Sequence, residues 1–163
     1  VSKIDHGAAG AESIHRFKYA MAGDTTEITL TGIDIIRLTT GCILSHPHWD
    51  LRPEKKRKIQ AKIIVMDELS VPLIKGSQVL LHMHSIDIPA TVSKLVSSIN
   101  PQQKNGARKD KPRVLTGGVT GTVELTFSGK ICVEAYHNCR ALGRFVLRRG
   151  GDTVAVGIVE CVL

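Results

Sequence analysis

Three groups of residues at short spacing could do chemistry. Cys42, His46 and His48 follow a C-x3-H-x-H pattern. Zinc is held by a tetrahedron of three or four such ligands. Only three stand close here, and Pro47 separates the two histidines. We read this stretch as a polar linker and expect no metal. His82 and His84 stand two apart, which on a strand places them on one face. Acid–base work by the pair would need a nucleophile or carboxylate in reach. Only Asp87, in a loop-like setting, is near in sequence. Gly117, Gly118 and Gly121 form the third group. A phosphate cradle needs backbone N–H groups at a helix N-terminus and a cation. This stretch has no lysine and leads into a strand pattern, and no GxxxxGK[ST] occurs anywhere. No catalytic, cofactor-binding or metal residue is assigned.

The remaining chemistry is charge. The chain has 163 residues with a formal net charge of +7, a balance that favours polyanions or an acidic partner. Its six aromatic residues, Phe17, Tyr19, Trp49, Phe127, Tyr136 and Phe145, are widely spaced. Single-stranded nucleic-acid surfaces interleave such rings as stacking platforms, so the positive charge reads as surface electrostatics without base readout. Cys42, Cys132, Cys139 and Cys161 form no CxxC pair and are expected to be free thiols. No signal peptide or membrane-spanning run is visible, and the expected location is the cytoplasm. The chain opens on Val1, and its first residues read as the inside of a domain, so we expect part of a longer protein.

The elements that must position these residues are strands. Residues 1–6 could end a strand, residues 7–11 look like a loop or insertion, and Ala22-Gly23-Asp24 signals a turn. Residues 25–33 alternate, which predicts a half-buried strand. Residues 45–58 read as a boundary, with Lys55-Lys56-Arg57-Lys58 as a solvated charge run. Strands are then predicted over residues 59–66, 79–84 and 90–99, with a polar, basic loop over residues 102–113. Residues 121–127 and 130–136 are expected to pair across Ser128-Gly129, and a last hairpin covers residues 144–159. No helical period of ten or more residues is present. Six strands at short spacing argue for an all-β fold, a closed antiparallel barrel or sandwich, and a barrel removes exposed edges.

Alternation also predicts faces. Val79, Leu81 and Met83 should point inward, leaving Leu80, His82 and His84 outward. On the last hairpin Phe145 and Leu147 should fill the core, while Arg144, Val146 and Arg148 face out.

Particular runs of residues resemble a known family. The stretch "GRFVLRRGGDTVAVGIV" resembles the closing hairpin of domain III of the elongation factor Tu/elongation factor 1-alpha class of translational GTPases. "AGDTTEITLTGIDIIRLTTGCIL" resembles the second half of domain II, with residues 7–18 as an insertion. "IQAKIIVMDELSVPLIKGSQVLLHMHS" and "KPRVLTGGVTGTVELTFSGKICVEAY" resemble more of domain III. Within the class, "PATVSKLVSSIN", the Lys-rich loop ending at Pro112 and the paired glycines are most similar to the HBS-type ribosome-rescue GTPases that partner Pelota.

That resemblance implies a Greek-key barrel of domain III over residues 51–163, preceded by part of a domain II barrel over residues 1–50. It implies GTPase activity, with GTP and Mg, for an intact parent whose GTP-binding domain this stretch lacks. It implies a Pelota-like partner, delivery to the A site in ribosome rescue and mRNA surveillance, and a monomer without membrane contact. Ribosomal RNA contact through the basic loops is a further expectation. The matching GRFxLR segment in such GTPases docks a tRNA-shaped protein factor. The partner-binding candidates are therefore Arg144, Phe145, Val146, Leu147, Arg148 and Arg149, with His82 and His84 beside them. The alternatives are a class II release factor, an elongation factor 1-alpha delivering aminoacyl-tRNA, and a stand-alone basic RNA-binding barrel.

Overall fold

The computed structural model describes residues 4–5, 19–46, 55–69, 71–101 and 108–163. The chain divides into two compact units, Val1–Thr39 and Thr40–Leu163. In the first, β1 (Ile4–Asp5) pairs antiparallel with β2 (Glu27–Ile28), and a single 3-10 turn spans Ile35–Arg37. Asp34 caps that turn, its Oδ1 accepting from the Ile36 N–H at 3.2 Å. The turn expected at Ala22-Gly23-Asp24 is present, closed by Asp24 N–H to the Met21 carbonyl at 3.1 Å. The strand expected over residues 25–33 is realised only at Glu27–Ile28. Alternation makes a strand only where a neighbour pairs with it, and among the described residues that neighbour is the two-residue β1. The expected loop or insertion at residues 7–18 lies outside the described residues.

The second unit contains β3 (Lys55–Val65), β4 (Leu73–Ile74), β5 (Gln78–Met83), β6 (Ile86–Ile99), β7 (Arg108–Asp110), β8 (Val114–Leu115), β9 (Thr120–Cys132), β10 (Arg144–Arg149) and β11 (Asp152–Val162). Six of these run β5-β10-β11-β3-β9-β6 and close again through β6 on β5, every pair antiparallel. This is the closed all-β barrel expected, and no α-helix occurs among the described residues. β6 is long enough to pair with β5 at its start and with β7 at its end, while β9 takes its other edge.

Period-two alternation puts one row of each strand inside. Ile59, Ala61, Ile63 and Val65 of β3 are buried, as are Val79, Leu81 and Met83 of β5 and Phe145 and Leu147 of β10. β6 changes phase at an irregularity between Val92 and Lys94, so its inward row passes from Ile88, Ala90 and Val92 to Leu95 and Ser97. Each large apolar side chain in this core contributes roughly 1.5–3 kcal/mol.

Four expectations need correction. The run Lys55-Lys56-Arg57-Lys58 is not a boundary but the start of pairing in β3, with Lys55 opposite Cys132 and Lys56 opposite Ile131. β6 starts at Ile86 and runs through Pro89. Over residues 86–89 only β5 flanks it, so one edge has no ladder for a proline to interrupt. Ser128-Gly129 is not a hairpin turn: β9 continues through it with a register shift against β3. A two-residue hairpin turn needs positive φ, and Gly129 does not have it, whereas Gly150 and Gly151 do, at 59° and 99°. Finally, Arg108–Asp110 of the basic loop forms β7, paired with Ser97, Ser98 and Ile99; residues 102–107 lie outside the described residues.

Gly157 marks the tightest point of this core. It stands opposite Phe145 and Ile63, and a Cβ there would lie 2.6 Å from Phe145 Cζ, 2.8 Å from Ile63 Cγ2 and 2.9 Å from the Lys62 carbonyl oxygen. The last of these is backbone and cannot swing away. Gly157→Ala is expected to destabilise the barrel by about 1–3 kcal/mol through overpacking; a urea titration with unchanged slope and an unshifted midpoint would contradict this.

Candidate partner-docking face

The four strands β5, β10, β11 and β3 lie side by side, and their registers build an outer surface row by row. His82 stands opposite Val146, Val146 opposite Val156, and Val156 opposite Ile64. In the next row Arg144 stands opposite Ile158, and Ile158 opposite Lys62. Arg148 stands opposite Leu80 on the other side. The result is an apolar strip of Val146, Val156, Ile158 and Ile64 with cations at its rim. Ile64 is 54% exposed and Val156 38%, high for side chains of this type. A groove of about 750 Å³ runs over the strip, lined also by His82, His84, Arg144 and Lys62.

The eight candidates do not share one role. Arg144 and Val146 lie in the groove, Arg144 exposed and Val146 half-buried. Phe145 and Leu147 are in the core, 4% and 0% exposed, and Phe145 reaches the floor of the groove beneath Gly157. The Arg148 guanidinium folds back to donate to the Gly151 carbonyl and so braces its own turn. Arg149 Nη1 donates to the Val71 carbonyl at 3.1 Å and lines a separate hollow with Asp67, Glu68 and Asp152. The bulge between Leu147 and Arg148 is where the hairpin changes from groove to turn.

His82 and His84 both line the groove, by different means. His82 is on β5 directly opposite Asp87, and its Nδ1 pairs with that carboxylate. Its Nε2 is enclosed, with no hydrogen-bond partner among the described residues. What His82 offers an occupant is therefore mainly its ring face. His84 is not on the strand, as the spacing implied, but in the turn to β6, at φ 41°. Its Nε2 lies 3.4 Å from the Cys132 carbonyl oxygen.

Lys62, Ile64, Val156 and Ile158 were not singled out from the sequence. Their alternation was visible, but their place beside β10 depends on β11 pairing with β3 across about ninety residues. No local signal reports that pairing.

A charged cluster elsewhere on the barrel is structural. Glu124 on β9 sits between Lys58 Nζ at 2.7 Å and Lys94 Nζ at 3.2 Å. The hydrogen bond from Lys58 leads in holding its carboxyl below the ordinary glutamate value of 4.5, with Lys94 adding to it. A lowered native pKa stabilises the fold above the unfolded value, and that contribution is lost as pH falls through the native one. Stability should therefore decline below about pH 4.5, and Glu124→Gln should flatten that decline. Unfolding midpoints for both proteins between neutral and strongly acidic pH decide it; parallel curves would count against the assignment.

Among the described residues no group of His, Cys, Asp and Glu could hold a metal ion. Cys42 and His46 are described, and His48 lies outside the described residues. The Gly118 N–H donates to the Val65 carbonyl at 3.1 Å, and its turn leads into strand β9. No helix among the described residues is long and apolar enough to cross a membrane.

The closed antiparallel barrel is of the translation-factor β-barrel type. The structure of Sup35 complexed with GDP has this fold, with a TM-score of 0.79 over 99% of this chain and 37% of that one at 23% identity. The family described as GTP-eEF1A C-terminal domain-like matches residues 58–160, and the chain belongs to it. It is similar to Protein HBS1 of Drosophila melanogaster, 42% identical over 138 residues, 85% of this chain and 20% of that one. It is also similar to Elongation factor 1-alpha of Saccharolobus solfataricus, 31% identical over 140 residues, 86% of this chain and 31% of that one. The chain thus spans a fifth to a third of the length of these relatives.

Proposed function

We propose that this chain is the partner-docking C-terminal module of an HBS-type translational GTPase. Its groove on β5, β10, β11 and β3 holds a Pelota-like factor and helps present it to the A site of a stalled ribosome in the cytoplasm, in no-go and non-stop decay. Nucleotide chemistry, with GTP and Mg, belongs to a separate domain of the parent.

The observation that carries the reading is the outward apolar row Val146, Val156 and Ile64, of which Val156 and Ile64 are exposed, with Arg144 and Lys62 in the next row. A solvated exterior strand has no need of such a row. A protein interface does: an apolar centre excludes water while arginine at its edge pairs with carboxylates. The likeness to HBS1 supports the rescue branch. The fold shared with Sup35 supports a termination factor as the second reading. Titrating the chain against a Pelota-like protein, a class I release factor and aminoacyl-tRNA separates the readings. Tightest binding to the Pelota-like protein is expected; preference for either of the others would overturn the assignment.

A further inference from the structure

The groove has a direction and two unlike walls. One wall is the row His82, Val146, Val156 and Ile64, and the other is the row Arg144, Ile158 and Lys62. On β10, β11 and β3 the walls stand two residues apart, about 7 Å. Between them runs the row Phe145, Gly157 and Ile63. Phe145 and Ile63 are buried, so the floor is backbone with Gly157 at its middle. The trough therefore crosses the strands, following the direction of their hydrogen bonds.

Backbone chemistry restricts what can lie there. β11 is held between β10 and β3, and β3 between β11 and β9, so the middle of the trough offers no free strand edge. An extended peptide cannot add itself as a strand. Laid on an apolar row, it would leave its own N–H and C=O groups without partners. An α-helix satisfies those groups internally. A whole helix, about 10–12 Å across, is too wide for the trough, but one ridge of its side chains fits.

Charge and spacing add to this. The lining is cationic at Arg144 and Lys62, and no Asp or Glu among the described residues lines it, which favours acids on the occupant. Arg144 and Lys62 stand two strand spacings apart, about 10 Å. Seven residues of helix rise about 10 Å and return to the same face, with the third and fourth residues between. Same-face residues of an extended chain recur at about 7 and 14 Å and miss that spacing.

We infer that the groove takes an amphipathic α-helix laid across the strands. Acids at i and i+7 meet Arg144 and Lys62, and a large apolar residue at i+3 or i+4 sits over Gly157. The inference rests on the groove being the docking face, and not on which protein factor supplies the helix.

Two side-chain-stapled helical peptides of one composition test it, by chemical-shift titration of the full chain. One carries Glu, Leu and Glu at i, i+3 and i+7. In the other the second Glu is moved to i+5, on the far side of the helix. The first is expected to bind about three- to fivefold more tightly, the scale of one rim ion pair, with shifts at Val146, Val156 and Gly157. Lys62→Glu should abolish that preference, and a peptide with Lys at i+7 should restore it against the variant. Lys75→Glu, the same charge change outside the groove, should leave it intact. Equal binding of the two peptides, or no shift in the groove with either, overturns the inference. The Pelota-like protein is titrated in parallel. If it shifts the groove while the peptides show no preference, the docking reading stands and the helix falls. If the peptides show the preference and the protein does not bind, the helix stands and the assigned factor falls.

Discussion

Phe145→Ala is expected to cost the barrel roughly 3–5 kcal/mol, enough to leave much of the chain unfolded near body temperature. The ring is 4% exposed and belongs to the central apolar cluster. Its tip reaches under Gly157, the residue opposite it on β11. Removing the ring opens a void beside a residue with no side chain to lend. The neighbours that could fill it, Ile63 among them, are buried on paired strands and held in place. Collapse into the void is therefore limited, which puts the cost in the upper part of the range for aromatic deletions. Docking should fail only because the fold fails. At low temperature, where the variant is still folded, affinity for the partner should return to within a few-fold of the parent's. A variant that stays fully folded yet does not dock would place Phe145 in the interface itself and contradict its buried position.

The same residue shows what could be read from the chain and what could not. The strand pattern of β10 and β11, with its Gly-Gly turn, is local, and it correctly put Phe145 and Leu147 inside and Arg144 and Val146 outside. Val79, Leu81 and Met83 followed the same rule. The misread places are those where a local signal competes with tertiary pairing. Ser128-Gly129 has turn chemistry, but β9 runs on through it, in the irregularity where its pairing with β3 skips from Thr126 to Ile131. Lys55-Lys56-Arg57-Lys58 has the composition of a solvated run, but it completes the ladder of β3 against β9. The groove was half legible. Its β5 and β10 residues carry the histidines and arginines that draw attention, whereas Ile64 and Val156 read as ordinary strand residues until their exposure is known. The three arginines of the last hairpin looked alike in sequence. Their separate roles depend on a one-residue bulge and on Val71, seventy-eight positions away.

Those separate roles set the second large effect. Arg144→Glu together with Lys62→Glu is expected to weaken docking of the partner at least about 100-fold, the scale of two charged hot-spot positions. The two residues flank Ile158 in one cross-strand row, which places them about 10 Å apart, two strand spacings. A carboxylate reaching the apolar strip meets one of them on either side. Reversing both charges presents the incoming group with repulsion at each rim, and like charges brought together at an interface are costly. Both side chains are exposed, so thermal stability should change by less than about 1 kcal/mol. The association rate should fall most steeply at low salt, because rim charges act on encounter. Arg148→Glu with Arg149→Glu is the control, having the same charge change with both positions on the β10–β11 hairpin. Those side chains brace the Gly151 and Val71 carbonyls, so this pair should lose about 1–2 kcal/mol of stability and keep affinity within a few-fold. Calorimetric titration of both double variants with the partner decides between them. If the Arg148/Arg149 pair abolished docking and the Arg144/Lys62 pair did not, the partner would sit on the hollow formed by Met66, Asp67, Glu68 and Arg149 at the hairpin tip, and the groove would lose its assigned role.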